Sequence, residues 1–176
     1  MLYEIRTGGR EAPLHDILLA REARVARRGE LLREHGATLA VLTVNMPGPV
    51  KLSPVSCAVF AEGCAALRVS LGAPHETRWQ VTGAEAYFLS PRAPDEVKRI
   101  AVEIENSHPL GRLMDIDVYA PDGAPLSRAA LGHPPRRCLL CGEMAHACGR
   151  SRTHTAAQLV AKADELVQQY DRARDH

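Results

Sequence analysis

In the run HPLGRLMDIDVYAPDG, every other position from Met114 to Val118 is apolar and the positions between are aspartates. Side chains of a strand point alternately to its two faces. Leu113 to Tyr119 therefore reads as a strand that buries Met114, Ile116 and Val118 and presents Asp115 and Asp117 together on the other face. A strand with one buried face needs neighbouring strands and a layer packed on it. Pro121-Asp122-Gly123 supplies a turn, and Ala124 to Ser127 a short return strand.

The remaining chain alternates helical and extended patterns. Leu14 to His35 is a predicted helix in which Leu14, Ile17, Leu18, Val25 and Leu32 form one apolar stripe, capped by Gly36. Thr38 to Asn45 is rich in β-branched residues and predicts a buried strand. After the Pro/Gly loop MPGPVK, Ser53 and Pro54 open a helix that reaches about Leu71. Trp79 to Leu89 reads as one strand interrupted near Gly83. Pro94 and Asp95 start a helix through Val97, Ile100, Ala101 and Ile104, although the alternation of Ile100, Val102 and Ile104 also admits a strand. Thr155 to Tyr170 is a final amphipathic helix, with the tail DRARDH expected to fray.

This order predicts an α+β sheet domain with helices packed on it and a loop-rich C-terminal flap. One domain spans 1–176, with an α/β core over about 14–128 and a Cys-rich loop plus helix over about 129–176. Aromatics make up only 4% of the chain, so the core is built from aliphatic side chains. No apolar run approaches the roughly 20 residues that cross a bilayer. The N-terminal MLYEIRTGGREAP lacks a charged-then-apolar signal layout, so the expectation is a cytoplasmic protein without a membrane segment. A net charge of +1 and few aromatics argue against nucleic acid as a partner.

Two carboxylates about 7 Å apart on one strand face repel unless a cation lies between them. Mg²⁺ takes carboxylate and phosphate oxygens together, which makes Asp115 and Asp117 candidate metal ligands beside a phosphate substrate. Gly111 allows a close backbone approach before the strand, and Arg112 can reach a phosphate. Lys51, on the rigid loop after the first strand, either contacts a phosphate or is an ordinary surface lysine. His108 either orients a nucleophile or, the plainer expectation, caps the helix before it. The plainer reading of the aspartates is a solvated edge strand. A helix, a glycine-containing loop and a D-I-D strand together resemble the DNA polymerase beta-like nucleotidyltransferases, which implies a nucleotidyltransferase-like sheet with the Asp pair on the metal. Here the glycine stands closer to the aspartates than is usual in those enzymes. Candidates for the third carboxylate usual among them are Glu85, Glu103 and Glu105.

The segment PPRRCLLCGEMAHACGRSRTH carries a second constellation. Cys138, Cys141, Cys148 and His154 are the ligand types and spacing that Zn²⁺ takes, with His146 able to replace His154. Such a site would staple a flap with little core of its own; otherwise these are reduced, partly buried thiols. Cys57 and Cys64 are expected to be core thiols. From Arg128 to His154 five Arg face one Glu, a local balance of +4. Arg136, Arg137, Arg150 and Arg152 flank the cysteines and can converge on a polyphosphate if the loop folds back; the bland alternative is a solvated basic loop.

Several blocks together resemble the holo-citrate lyase synthase family (apo-citrate lyase phosphoribosyl-dephospho-CoA transferase): REARVARR from Arg21, VNMPGPVK from Val44, GCAAL from Gly63, EIENSHPLGRLMDIDVYAPDG from Glu103, and PPRRCLLC with Cys148, Arg152 and His154. The resemblance implies an enzyme that moves a phosphoribosyl-dephospho-CoA group from triphosphoribosyl-dephospho-CoA to a serine of the citrate lyase acyl carrier (gamma) subunit, releasing diphosphate. Two alternatives stand beside it. One is the same chemistry on another carrier, such as that of malonate decarboxylase. The other is a non-catalytic, zinc-stapled interaction module.

Overall fold

The computed structural model of the protein describes residues 9–174. Its strands are β1 (Thr38–Val44), β2 (Glu76–Gln80), β3 (Gly83–Ser90), β4 (Met114–Tyr119) and β5 (Pro125–Leu126). They form one antiparallel sheet in the order β2-β3-β1-β4-β5. The helices are α1 (Leu14–His35), α2 (Pro54–Leu71), α3 (Pro94–Ser107), α4 (Ala145–Ser151) and α5 (Ala156–Arg174). The α+β class expected from the sequence is the class observed.

Strand β1 is central, and its near-continuous apolar run suits a strand buried on both faces. Ala40 and Leu42 face a core made with Ala86, Phe88, Met114, Ile116 and Val118 of the neighbouring strands and with α2, α3 and α5. Leu39 and Val41 face the other way, where Tyr87 meets Leu31 and Leu32 of α1. Three helices thus cover one face of the sheet, and α1 covers part of the other. Ser53 is the N-cap as expected, its side chain accepting from the Ser56 backbone N–H at 3.2 Å, and Ser56 completes a capping box by accepting the Ser53 N–H.

Contrary to the sequence reading, α2 is long and apolar enough, by length and composition, to cross a membrane. It lies instead on the sheet, with Val59, Phe60, Gly63 and Leu67 buried. Gly63 is what lets it approach β1: a Cβ there would stand 2.9 Å from a methyl of Leu42.

Other differences have local causes. The stretch read as one interrupted strand is a hairpin, in which Gln80 pairs with Gly83 around Val81 and Thr82 and Gly83 takes φ +117°. The ambiguous segment after Pro94 is helical, with Asp95 and Glu96 in its first turn, where they favour the helix dipole. The Cys-rich segment read as loop contains α4. The last helix runs on through Asp171 to Arg174, so four residues of the supposedly frayed tail are helical. Its Ala163 and Val167 join the main core. The first eight residues of the N-terminal stretch, and the last two of the tail, lie outside the described residues.

The apolar stripe of α1 departs furthest from expectation. Leu14, Leu18 and Val25 are exposed. Of the stripe only Leu32 is buried; Ala20 and Leu31 join it in holding the helix, with two ion pairs to the sheet, Arg24 to Glu85 at 2.7 Å and Arg27 to Glu76 at 2.8 Å.

Candidate active site

Strand β4 pairs with β1 along its length, but β5 covers only Val118 and Tyr119. The backbone of Ile116 is completed by α3 instead. Glu105 accepts the Ile116 N–H at 2.9 Å, and the Lys98 ammonium donates to the Ile116 carbonyl at 3.0 Å. Buried charges persist where they are paired, and Glu105 also meets Arg128 at 3.0 Å and Arg136 at 3.3 Å. Burial lowers the Lys98 pKa, while the charges of Glu105, Asp117 and Asp115 oppose that shift. Sequence reasoning missed Lys98 and took Glu105 only as a spare carboxylate. The available signal was two charged residues seven positions apart on a helix face otherwise made of Val97, Ala101 and Val102.

Removing one partner from such a buried network leaves the others uncompensated. Glu105→Ala is expected to cost about 3–5 kcal/mol of stability in urea unfolding. Glu105→Gln, which keeps an acceptor for Ile116, should cost less. A loss below about 1 kcal/mol for the alanine variant, the level of an exposed pair, would refute this role.

On the clamped strand, Met114, Ile116 and Val118 are buried as the alternation requires. Asp115 and Asp117 emerge on the α1 side, opposite Thr43 and Val41 of β1. Glu85 of β3 lies on this same face, across Thr43. Its carboxylate is occupied by Arg24 and by the Tyr87 hydroxyl at 2.7 Å. Glu103 is exposed on α3. Arg136 stands 3.2 Å from Asp115 and donates also to the Met114 carbonyl. Asp117 has solvent access, yet crowding strips enough water from it to push its pKa up; the Asp115 charge adds to the rise and Lys98 opposes it. This mutual repulsion is the condition a cation relieves, so the donor set fits a hard divalent ion.

A cleft of about 680 Å³ opens between the loop after β1, the turn at Gly111–Leu113, α4 and the start of α5. Lys51, Arg112, Arg152 and His154 line it. A smaller, more polar cleft of about 180 Å³ adjoins it under α1, with Arg21, Arg24, Thr43 and Asp115 on its walls. Lys51 belongs to both. It donates to the Met46 carbonyl at 2.7 Å, and burial followed by the Arg21 charge lowers its pKa.

Arg112 donates to the Arg137 carbonyl, but its Nε and one terminal nitrogen are buried without a partner among the described residues. Burial, then the nearby Arg136 and Arg128, hold its pKa below the usual value. A cation in that state is complementary to an anion. Gly111 has a packing reason of its own: a Cβ would stand 2.5 Å from the Ile104 oxygen and 2.6 Å from that of Glu105. His108 sits at the C-cap of α3, as expected, and its Nδ1 accepts the Leu110 N–H at 3.0 Å.

The four arginines of the flap do not converge. Arg136 turns to Asp115 and Glu105, and Arg137 folds onto the Gly142 carbonyl of its own loop. Arg150 is exposed on α4, outside both clefts. Arg152 alone of the four lines the large cleft. It caps α4 at φ +48°, the one non-glycine with positive φ among the described residues. Such backbone is uncommon outside glycine, and here it ends the helix with the Arg152 N–H on the Cys148 carbonyl.

The sulfur and nitrogen ligands do converge. One ligand atom each from Cys138, Cys141, Cys148 and His154 lies within 4.8 Å of all the others. Cys141 and Cys148 sulfurs are 3.5 Å apart, and His154 Nε2 is 3.3 Å from the Cys141 sulfur. Tetrahedral zinc, with bonds of about 2.0–2.3 Å, sets its ligand atoms about 3.5–3.8 Å apart, so the cluster can hold a metal ion. Burial raises the Cys138 thiol, but backbone N–H groups of Leu140 and Cys141 and the neighbouring thiols outweigh it and bring the pKa down to about 7. His146 is not part of the cluster. Cys57 and Cys64 are half-buried on α2, and burial raises the Cys64 pKa to about 11.

Comparison with known proteins places this geometry. Residues 12–170 match the profile of the family described as apo-citrate lyase phosphoribosyl-dephospho-CoA transferase. A probable apo-citrate lyase phosphoribosyl-dephospho-CoA transferase of Vibrio cholerae serotype O1 is 40% identical over 168 residues, spanning 89% of this chain and 92% of that protein. The transferase of the same name from Shigella boydii serotype 18 is 38% identical over 166 residues, spanning 89% and 88%. With both clefts, the aspartate strand and the Cys/His cluster inside the matched span, the chain belongs to the apo-citrate lyase phosphoribosyl-dephospho-CoA transferase family.

Proposed function

We propose that this enzyme transfers a phosphoribosyl-dephospho-CoA group from its triphosphate precursor to a serine hydroxyl of the citrate lyase acyl carrier (gamma) subunit, releasing diphosphate. The observation that carries the mechanism is the junction at Lys51, where the cleft holding Arg112 and Arg152 meets the cleft holding Asp115. The precursor's phosphates lie along Lys51, Arg112 and Arg152, which offset their charge. Their reacting end lies beside Asp115 and Asp117. The hydroxyl oxygen forms the new bond to phosphorus, the bond to diphosphate breaks, and the hydroxyl proton is released. When bound by Asp115 and Asp117, Mg²⁺ would supply charge neutralisation at the reacting phosphate. Arg136 limits the negative charge on Asp115 and ties it to the flap.

In this reading the Cys138, Cys141, Cys148 and His154 cluster holds a structural Zn²⁺. All four positions are filled by protein atoms, as in closed structural sites, and three of the four residues also line the large cleft.

The test is mass spectrometry of the purified apo-carrier subunit after incubation with this protein, Mg²⁺ and triphosphoribosyl-dephospho-CoA. A serine-linked gain of phosphoribosyl-dephospho-CoA supports the reading. No gain on this carrier, with a gain on that of malonate decarboxylase, would transfer the assignment to that acceptor. The Arg152 backbone allows a sharper check. Arg152→Gly is expected to keep or raise stability, by about 1 kcal/mol, because glycine accepts positive φ. The same variant should raise the precursor's KM several-fold; an unchanged KM would remove Arg152 from the phosphate site.

A further inference from the structure

The exposed stripe on α1 has a position that bears on the reaction. Leu14, Leu18, Arg21, Val25 and Arg28 follow one another at spacings of four and three residues and so share one flank of the helix. Leu14 is 72% exposed, Leu18 48% and Val25 54%. Two residues of the stripe fix where that flank looks. Arg21 lines the same small cleft as Asp115, and the Arg28 guanidinium lies 4.1 Å above the ring of Tyr119. Tyr119 follows Asp115 and Asp117 on the same face of β4. The flank therefore runs beside the carboxylate face of the strand. The four acidic residues of α1, Asp16, Glu22, Glu30 and Glu34, all lie outside the stripe.

We infer that this flank is the docking surface for the acceptor protein, an acyl carrier domain with an acidic, partly apolar surface around its acceptor serine. The inference rests on the proposed transfer and adds to it the surface that brings the hydroxyl to the aspartates. A protein acceptor has to contact the enzyme next to the reacting phosphate, because its serine must reach that phosphate. The stripe is continuous with the cleft, apolar at three positions and cationic at two, which matches an acidic partner that also offers apolar contact area. None of the stripe residues lines the large cleft, so the surface offered to the acceptor is separate from the walls offered to the precursor.

Leu18→Asp combined with Val25→Asp removes the apolar contacts and adds repulsion toward an acidic partner. Both side chains are exposed, so the fold is expected to persist, as circular dichroism and the unfolding temperature would check. With saturating precursor and the apo-carrier subunit as the varied substrate, the acceptor KM should rise at least about tenfold. The precursor's dissociation constant, measured by calorimetry without acceptor, should not change. Wild-type acceptor KM in the double variant would overturn the docking surface. If the wild-type protein transfers nothing, the proposed function fails before the variant is compared. Sedimentation of both proteins covers the other occupant: a wild-type dimer split by the two substitutions would mean that the stripe packs on a second copy, and would overturn the inference.

Discussion

Asp117→Ala is expected to lower the rate of prosthetic-group transfer by at least about 10³-fold while the protein remains folded. The argument has two parts. The carboxylate is exposed on the open face of β4, and its raised pKa reports lost water first and then repulsion from Asp115, so its removal takes away unfavourable contributions along with any favourable ones. Surface changes of this kind usually move stability by about 0.5 kcal/mol or less. The chemistry, in contrast, loses half of the only exposed carboxylate pair on the described strand. Asp115→Ala should be as damaging to rate and somewhat more to stability, because Arg136 would keep only Glu105 and backbone carbonyls as partners. Circular dichroism and single-turnover transfer measured on the same preparations separate the two effects. A wild-type rate from either variant would end the metal-site assignment.

The second large effect concerns the Cys/His cluster. The purified protein is expected to contain one zinc per chain, and its removal should collapse the flap. Structural zinc contributes about 10–16 kcal/mol of apparent binding free energy in small domains, far more than the few buried side chains between Pro134 and Thr155 can supply. Cys141→Ser should act most strongly, since the Cys141 sulfur stands within 3.5 Å of Cys148 and 3.3 Å of His154. If the precursor binds in the large cleft as proposed, transfer should fall with metal content, because Cys138, Cys148 and His154 form part of its wall. The checks are metal analysis and the visible spectrum after cobalt substitution. A fully active, metal-free preparation with an unchanged unfolding temperature would rule the zinc site out.

What the sequence disclosed depended on how far each pattern constrains its surroundings. The alternation around Asp115 and Asp117 specifies which side chains share a face, and β4 obeys it because one face of a sheet must be dry. Spacing in the Cys/His segment named the ligand types that do meet, but left open whether His146 or His154 joins them and whether they hold a metal. The α1 stripe shows the limit of periodicity. Leu14, Leu18 and Val25 do share a flank, but spacing does not say whether that flank is covered, and ion pairs from Arg24 and Arg27 anchor a different one. The arginines dispersed for a similar reason: a run of like charges has no preferred geometry until acids such as Glu105 and Asp115 claim some members. The turn at Val81 and Thr82 carried only one positional signal, Gly83, and so passed as a break within a strand.

The way α3 finishes the sheet has a wider consequence. An uncovered β edge is a template onto which another polypeptide can add a strand, and chains that leave one open tend to polymerise. With β5 only two residues long, that risk falls on the backbone of Ile116 between the two aspartates. Lys98 and Glu105 fill both of its hydrogen-bonding positions from the side, and a guest strand would have to displace two buried charged side chains to enter. Strand β4 is thereby closed to self-assembly along its edge while its carboxylate face stays open to other molecules.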